Sequence, residues 1–342
     1  MPHRTFFWFI LPSLLAMFLF IAMPIVSVVI QSIFVEPEQV VVTTQTCDPF
    51  GCTDQTQVDA EATAKVRAQY PLGRFNGLGT YLDRNHLAAA DVAEAWASSD
   101  SPGAFWAKLM NLSFYRALAF TLTYTFVVTP FVLVLGLAVA LGVNMLPGVL
   151  KGPTIFVSLL PMIVTPLIGS LILFWMIDSR GIIGASLQTL LNDPGLSLKA
   201  SPTLTWITLI IYGIWHNLPF AFIVFYAGLQ TVPSETLEAA IVDGANRWER
   251  VRYVVVPYIA PLVVFVLLIQ FMDNFRVFEP IVGFSAQANA SSLSYYIYND
   301  LSGTNRQFNS AAATSILTII GVGILLAPVL IRTWRDFNRK RA

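Results

Sequence analysis

The chain has 342 residues, of which 56% are hydrophobic and 12% are charged, and its formal net charge is zero. Soluble domains average about 25% charged residues. The low charge and a mean hydropathy of +0.66 therefore exclude an ordinary soluble domain and indicate an integral membrane protein. The neutral balance gives no indication of nucleic-acid binding, and the three histidines are too scattered to suggest a metal site.

The first apolar run, Phe6 to Phe34, is longer than the ~20 residues that a helix needs to cross the hydrocarbon. It also exceeds the ~7–15-residue apolar core of a cleavable signal, and no small-x-small cleavage site follows it. We therefore expect residues 1–34 to form a short N-terminal segment and a retained membrane helix.

Residues 35–113 form a polar insertion, long enough for a small folded cap. Within it, Leu87–Trp96 is alanine-rich and favours a helix, and Phe105–Leu112 is typical of an amphipathic helix lying at the membrane surface.

The insertion also holds the two cysteines, Cys47 and Cys52, separated by a turn-forming Asp-Pro-Phe-Gly. If the insertion is extracytoplasmic, a local disulfide is favoured. The alternative is two free thiols, whereas a metal site would need more ligands than lie nearby.

Five more apolar runs follow, and several contain prolines that neighbouring membrane helices can accommodate as kinks. The predicted spans are Phe114–Val143, Pro153–Ile177, Thr203–Gly228, Tyr258–Phe278 and Ala311–Ile331. We therefore predict an all-α integral membrane protein with six transmembrane helices, a core over residues 114–331 and a basic tail over 332–342.

The distribution of Lys and Arg predicts the orientation, because cytoplasmic loops are enriched in both. Among the short loops and the tail, the tail carries five basic residues and the polar segment near Glu238 carries three, whereas the loops Asp178–Pro202 and Glu279–Ser310 carry only Arg180, Lys199 and Arg306. Both termini and the polar segment are therefore expected in the cytoplasm, with the cysteine-bearing insertion outside.

The polar segment between the fourth and fifth spans has the pattern of two short helices. Pro233 suits a first helical turn, and Glu235 and Glu238 place negative charge near the helix N-terminus. Residues that recur at helical spacing predict one apolar face, and these are Leu237, Ala240, Ile241 and Ala245.

The first of these helices is predicted to stop at Gly244, which tolerates the left-handed conformation. Asn246 and Glu249 have the spacing of a capping box for the second helix. That second helix is expected to run toward the membrane and to end before Pro257. A solvated connector is the alternative interpretation of the segment.

This polar segment resembles the signature loop of ABC importer permeases. The matching residues are Glu238-Ala239-Ala240, Gly244, Val254, Val256 and Pro257, with valine at the positions where isoleucine and leucine are usual. Three further stretches resemble sugar permeases of the maltose type: Phe75–Tyr81, Phe114–Thr121 and Ala227–Pro233.

The resemblance implies a type I importer permease fold, with the loop 231–257 seated in an ATPase cleft. The residues that it assigns to ATPase coupling are Glu238, Ala239, Ala240, Asp243, Gly244 and Pro257. Implied partners are a second permease subunit of different sequence, two ATPase subunits, a periplasmic solute-binding protein and membrane lipid. The chain itself would bind no cofactor, and the ATPases would use ATP and magnesium.

Polar side chains inside spans are expensive in lipid and are usually functional. Here they cluster in two spans, as His216, Asn217 and Phe220 and as Gln270, Asp273 and Asn274. The corresponding stretches of maltose-type permeases line the sugar site, so the resemblance implies solute contacts. Interhelical hydrogen bonding is the alternative role.

The sequence departs from the family at Glu279–Ser285, where relatives carry a Thr-x-Gly-Gly-Pro pattern. Arg276, just before this stretch, could favour an anionic sugar derivative. Ion pairing with Asp273 or Glu279 is the favoured alternative.

No phosphate-binding loop, nucleophile elbow or zinc-protease motif is present in the sequence, so we expect no catalytic activity of its own. The predicted function is the permease subunit of an ATP-driven sugar importer in a bacterial inner membrane. A stand-alone secondary transporter or channel is the main alternative, and a membrane-embedded enzyme is a weaker one.

Overall fold

The computed structural model describes residues 3–37, 40–48, 51–302 and 306–339. The chain divides into two compact units, Met1–Tyr115 with Tyr296–Ile319, and Arg116–Tyr295 with Ile320–Ala342. Helices dominate both units, and the strands lie in the first.

The first span is one apolar helix over Phe6–Ser32, as predicted. It comprises α1 (His3–Met17), a π-helical turn (Phe18–Ala22) and α2 (Met23–Ser32). In the π turn the Met23 amide donates to the carbonyl of Phe18, five residues back. The wider turn directly precedes Pro24, which lacks an N–H and needs space for its ring.

The insertion holds two antiparallel pairs of strands. One pairs β1 (Phe34–Val35) with β4 (Arg74–Phe75), and the other pairs β2 (Val41–Asp48) with β3 (Gly51–Val58). The two helices predicted in the insertion are present, displaced by one to three residues, as α5 (Ala89–Ala97) and α6 (Pro102–Leu109). Two further helices were not predicted, α3 (Ala60–Gln69) and α4 (Gly79–Leu82).

The register of the second pair sets Cys47 directly opposite Cys52. Opposed residues of an antiparallel ladder have Cα atoms about 4.5–5.5 Å apart, a separation that a disulfide spans. The side chains of both cysteines lie outside the described residues, so the disulfide stays a prediction.

The second unit contains most of the membrane core. Its elements are α7 (Ser113–Asn144, which begins in the first unit), α8 (Gly148–Ile163), α9 (Pro166–Met176), α10 (Ile182–Leu191), α11 (Pro202–Leu229), α12 (Ser234–Val242), α13 (Arg247–Arg250), a second π turn (Val251–Val255), α14 (Val256–Phe275) and α15 (Glu279–Gly283). Two helices complete the described chain, α16 (Leu293–Ser302) and α17 (Phe308–Arg339).

Among the described residues, five helices are long and apolar enough to cross a membrane, or six if α8 and α9 count as one span. The pair α8–α9, which covers the predicted span Pro153–Ile177, bends by 92°. Pro166 disfavours a helical conformation at the preceding residue, and Thr165 is extended with φ −62° and ψ 143°. The break therefore lies at Val164–Thr165, and the span is not straight.

The helix predicted to end before Pro257 does not end there. Residues Arg247–Phe275 form one helix, and Pro257 lies inside it. The Val256 amide donates to the carbonyl of Val251, five residues back, so a π turn again precedes a proline. Because this turn makes room for the ring, Pro257 does not break the helix.

Small residues let the core helices approach closely, as is usual in membranes. A Cβ at Gly136 of α7 would lie 2.7 Å from the Cβ of Ala221 on α11, and a Cβ at Gly213 would overlap the hydroxyl of Tyr124. Large buried side chains such as Phe222 and Phe225 fill the space around these contacts.

Candidate functional site: a polar cavity and an exposed helical loop

The second unit contains an open cavity of about 430 Å³, which we call the polar cavity. Residues from α7, α9, α11, α14 and α15 surround it. The lining residues are Tyr124, Pro166, Tyr212, Gly213, His216, Asn217, Asp273, Asn274, Arg276, Val277, Glu279 and Pro280. Its size falls within the ~300–1,000 Å³ typical of small-molecule sites.

Three helices are joined beside the cavity by a hydrogen-bonded network centred on Asn274. The Asn217 amide donates from α11 to Asn274 Oδ1 at 3.0 Å. Asn274 Nδ2 donates to Thr129 Oγ1 of α7 at 3.0 Å and to Gln270 Oε1 at 3.3 Å. Both hydrogens of the Asn274 amide are therefore used within the protein, and its side chain is 2% exposed.

Tyr212 connects the cavity to the break in the third span. Its hydroxyl donates to the carbonyl of Pro166 at 2.9 Å, at the first residue of α9. Its ring stacks on His216, with centroids 5.8 Å apart and an interplanar angle of 12°. His216 Nδ1 is buried and has no hydrogen-bond partner within the described part of the chain.

Three charged residues line the cavity, Asp273, Arg276 and Glu279. Arg276 donates to Asp273 at 2.8 Å, and both side chains are largely exposed. Arg276 therefore forms the ion pair with Asp273 that was the alternative to an anion-binding role. Glu279, which begins α15, also lines the cavity and is exposed.

Four of the six predicted solute-contact residues line the cavity, namely His216, Asn217, Asp273 and Asn274. Gln270 is 2% exposed and accepts its hydrogen bond from Asn274. Phe220 packs against Phe265, with ring centroids 6.4 Å apart. Neither Gln270 nor Phe220 lines the cavity.

Sequence reasoning missed the aromatic wall formed by Tyr124 and Tyr212. Tyr212 lies four residues before His216 on the same helix, a spacing that could have indicated it. Tyr124 carried no comparable signal, because its approach to Gly213 joins two helices distant in sequence.

The polar segment between α11 and α14 has the predicted bend and caps. Gly244 follows α12 with φ +80°, a conformation that favours glycine. Asn246 and Glu249 form the reciprocal capping box at 2.9 and 2.8 Å. Pro233, expected in the first turn, instead precedes the helix as its N-cap, with ψ 131°.

The apolar side chains of this segment fall into two groups. Leu237 packs against the core of the unit, whereas Ile241 and Val242 are 54% and 87% exposed. Glu238 and Ala239 are also exposed, and Asp243 forms the C-cap of α12. The predicted single apolar face is therefore divided, because Leu237 and Ile241 differ in burial despite their helical spacing.

Apolar helices that surround a polar cavity form the architecture of a membrane transport protein. The family described as "Binding-protein-dependent transport system inner membrane component" matches residues 101–335. The chain therefore belongs to this family of multi-pass inner-membrane permease components.

Individual relatives agree with this assignment. The maltodextrin transport system permease protein MdxF of Bacillus subtilis is 32% identical over 233 residues, which are 63% of this chain and 53% of that protein. The trehalose transport system permease protein SugA of Mycobacterium tuberculosis is 31% identical over 256 residues, covering 74% of this chain and 80% of SugA. The matched region thus spans about half of MdxF but most of SugA.

The fold also resembles that of a solved bacterial ABC transporter involved in import of the acidic polysaccharide alginate. The superposition has a TM-score of 0.58 at 20% sequence identity and covers 81% of this chain and 97% of that one. At this identity the likeness concerns the fold.

Proposed function

We propose that the chain is a permease subunit of an ATP-driven importer for a neutral sugar or oligosaccharide. The observation that carries this proposal is the polar cavity within a chain whose relatives are named as maltodextrin and trehalose permeases. The chain would form half of the translocation path, and a second, different permease subunit would form the other half.

The substrate class is supported by the chemistry of the cavity wall. Asn217 gives one amide hydrogen to Asn274, which leaves its second hydrogen and its Oδ1 for a solute. The rings of Tyr212 and His216 offer the flat apolar surface on which a sugar ring packs. We assign Asn217 and His216 to solute contact, and Asn274 to holding Asn217.

A neutral solute is favoured over an anionic one. The guanidinium of Arg276 is already paired with Asp273, and Glu279 adds a second carboxylate to the same wall. The charged lining therefore has no excess of positive charge. An acidic substrate such as alginate would meet carboxylates without a free basic partner among the lining residues that the structure describes.

The proposed coupling element is the loop 231–257, with Glu238, Ala239, Ala240, Asp243, Gly244 and Pro257 as its functional residues. Ile241 and Val242 form an exposed apolar surface. Burying it in a groove of a partner protein would be favourable. We infer that each permease subunit seats this loop in one of two ATPase subunits, which hydrolyse ATP with magnesium.

The proposed topology follows the distribution of basic residues. Residues 1–34 would include the cytoplasmic N-terminus and first membrane helix, 35–113 would be an extracytoplasmic insertion, 114–331 the permease core, and 332–342 a basic cytoplasmic tail. An extracytoplasmic binding protein would deliver the solute, and the insertion would carry the Cys47–Cys52 disulfide.

A matched pair of valine variants tests the coupling assignment. Val242 and Val149 are both 87% exposed, but Val149 lies in the first turn of α8, outside the loop 231–257. In the complex reconstituted with its ATPases, Val242→Asp should abolish ATP hydrolysis stimulated by the sugar-loaded binding protein, and Val149→Asp should leave it unchanged. Equal loss, or no loss, in both variants would refute the assignment of the loop.

A further inference from the structure

The first unit contains a second cavity, of about 460 Å³, which we call the His86 cavity. It is formed by residues after the first span, the turn that follows α4 and the start of α17. The lining residues are Val35, Glu36, Pro37, Asn76, Gly79, Thr80, Leu82, Asp83, Asn85, His86, Gln307 and Ser310. Its volume falls within the range of small-ligand sites.

The wall of the His86 cavity is held in place by hydrogen bonds from three segments of the chain. Glu36 Oε1 accepts from the Asn309 amide at 2.8 Å, at the N-terminus of α17. Thr80 Oγ1 donates to the carbonyl of Phe34 at 3.3 Å and accepts from Asn76 at 3.1 Å. Such contacts fix the polar groups before a ligand arrives, which reduces the entropic cost of binding.

His86 is the most deeply buried polar residue of this wall, with 1% of its surface exposed. Its Nε2 lies 3.1 Å from the carbonyl of Ser310, so this nitrogen carries the proton that is donated. Nδ1 is then an acceptor in the neutral ring, and it has no partner among the described residues. A buried polar atom without a partner is costly and calls for an explanation.

The charge of the lining is one-sided. Glu36 and Asp83 contribute carboxylates, and no lysine or arginine is among the lining residues. Arg84, next to Asp83, lies 3.7 Å from Asp91 instead. Arg67 and Arg306 line an adjoining cavity that also includes Glu36, and the charge of Arg67 acts on Glu36, so the unbalanced negative charge of the lining is that of Asp83.

A third carboxylate lies behind this part of the wall. Asp300 accepts from the Ser310 hydroxyl at 2.6 Å, and the Tyr296 hydroxyl donates to the carbonyl of Asn85 at 2.9 Å. Burial raises the pKa of Tyr296 to about 12, and the charges of Asp300 and Asp83 add to this effect. Burial also raises the pKa of Asp300, which favours its neutral form, so the negative charge of this part of the wall rests on Asp83 and not on Asp300.

We propose that the His86 cavity is a binding site for a hydroxylated amine, of which an amino sugar is the simplest example. The Asp83 carboxylate, which has no basic side chain beside it among the lining residues, attracts the ammonium group, and the amides of Asn76, Asn85 and Gln307 suit the hydroxyls. The site is separate from the polar cavity and does not depend on the proposed sugar import.

Hydrogen exchange in the assembled transporter tests this site with three sugars of the same ring shape: glucosamine, glucose and glucuronate. At about pH 6.5 the amine is charged and the carboxylate is ionised. The turn over residues 76–88 contains hydrogen-bonded amides, such as Leu87 to Tyr81 at 3.0 Å, so its exchange is measurable. At ten times its dissociation constant, glucosamine should slow this exchange about 11-fold.

Glucose should protect the same turn less at equal concentration, and glucuronate should not protect it. Asp83→Asn and Glu36→Gln keep a side-chain acceptor for the Arg84 and Asn309 amides, and each should weaken glucosamine protection. Glu94→Gln removes one charge from the exposed face of α5 and should change nothing. No protection by any of the sugars overturns the site, and equal protection by glucuronate overturns the ligand class.

Hydrogen-exchange protection of residues 76–88 and sugar-stimulated ATP hydrolysis are separate measurements, so the two proposals can fail separately. If the proposed import function is wrong, sugar-stimulated ATP hydrolysis is absent while protection of residues 76–88 persists. If the His86 cavity is not a site, hydrolysis persists while this protection is absent.

Discussion

The Asn274 network allows a solute contact to be distinguished from a positioning contact. Asn274→Ala removes two interhelical hydrogen bonds, to Asn217 and Thr129, and one bond to Gln270 within α14. Interhelical hydrogen bonds in membranes average about 0.6 kcal/mol, and a buried group left unpaired adds about 1–3 kcal/mol. The variant should therefore lose roughly 2–4 kcal/mol of unfolding free energy.

The same substitution should weaken solute binding, because the Asn217 amide loses the partner that orients it. An orienting hydrogen bond of about 1 kcal/mol corresponds to an approximately fivefold rise in KM. KM is measured from sugar-stimulated ATP hydrolysis in the reconstituted complex, and stability from denaturant titration in mixed micelles.

Thr129→Val is the matched control, because it removes one hydrogen bond of Asn274 and keeps the bond to Asn217. It should cost about 0.6 kcal/mol for the lost hydrogen bond plus the cost of one unpaired Asn274 N–H, and it should leave KM unchanged. If Asn274→Ala lost stability with no change in KM, the network would be purely structural. If Thr129→Val raised KM equally, the positioning role of Asn274 would be wrong.

Three further predictions concern other parts of the chain. A Cβ at Gly244 or at Gly142 would meet nothing within 4 Å, so alanine at either position tests backbone conformation alone. Gly244 has φ +80°, so Gly244→Ala should lower the free energy of unfolding by about 1 kcal/mol in thermal unfolding. Gly142 lies within α7, so Gly142→Ala should raise it by about 0.5–1 kcal/mol. Stability gained in both would contradict the strain argument. A hydrogen bond from Lys199 at 2.8 Å lowers the pKa of Asp178, so Lys199→Met should raise that pKa in a carboxyl NMR titration. Because the pKa of Asp178 is lower in the folded state, the stability that this ion pair contributes is present above pH 3.8 and is lost as the pH falls through the folded pKa. If Lys199→Met left the pKa of Asp178 unchanged, the pairing would be refuted. For the Cys47–Cys52 disulfide, the denatured chain should take up maleimide only after reduction, and labelling without reduction would show free thiols.

The parts of the fold that sequence could predict depend on local chemistry. Span positions follow from runs of apolar residues, and the capping box follows from Asn246 and Glu249 three residues apart. Gly244 was predictable because few other residues adopt a positive φ at a helix end.

The effect of each proline was not predictable in the same way. Pro161 lies inside α8 and Pro257 inside a continuous helix, whereas Pro166 begins a new helix after a 92° bend. The local restriction is the same in each case, but the outcome depends on tertiary packing, such as that of α9 against α15 and the Tyr212 hydroxyl on Pro166. These contacts join residues far apart in the chain.

The polar residues of the candidate site could be predicted from the sequence, but which of them line the polar cavity could not. Asn217 and Phe220 lie three residues apart on α11, yet only Asn217 lines the polar cavity. Which residue faces the cavity depends on how α11 packs against α7 and α14, and the sequence of α11 does not specify that rotation. Tyr124 was missed for the same reason.

The most direct test of the account is uptake of labelled maltose or trehalose into proteoliposomes that contain this permease. Uptake is expected only when the partner permease, the ATPases and the binding protein are present with ATP on the ATPase side. An ion gradient imposed across vesicles that hold this chain alone should drive none. Sugar uptake by the chain alone, without any ATPase, would contradict the account and support a stand-alone transporter or channel.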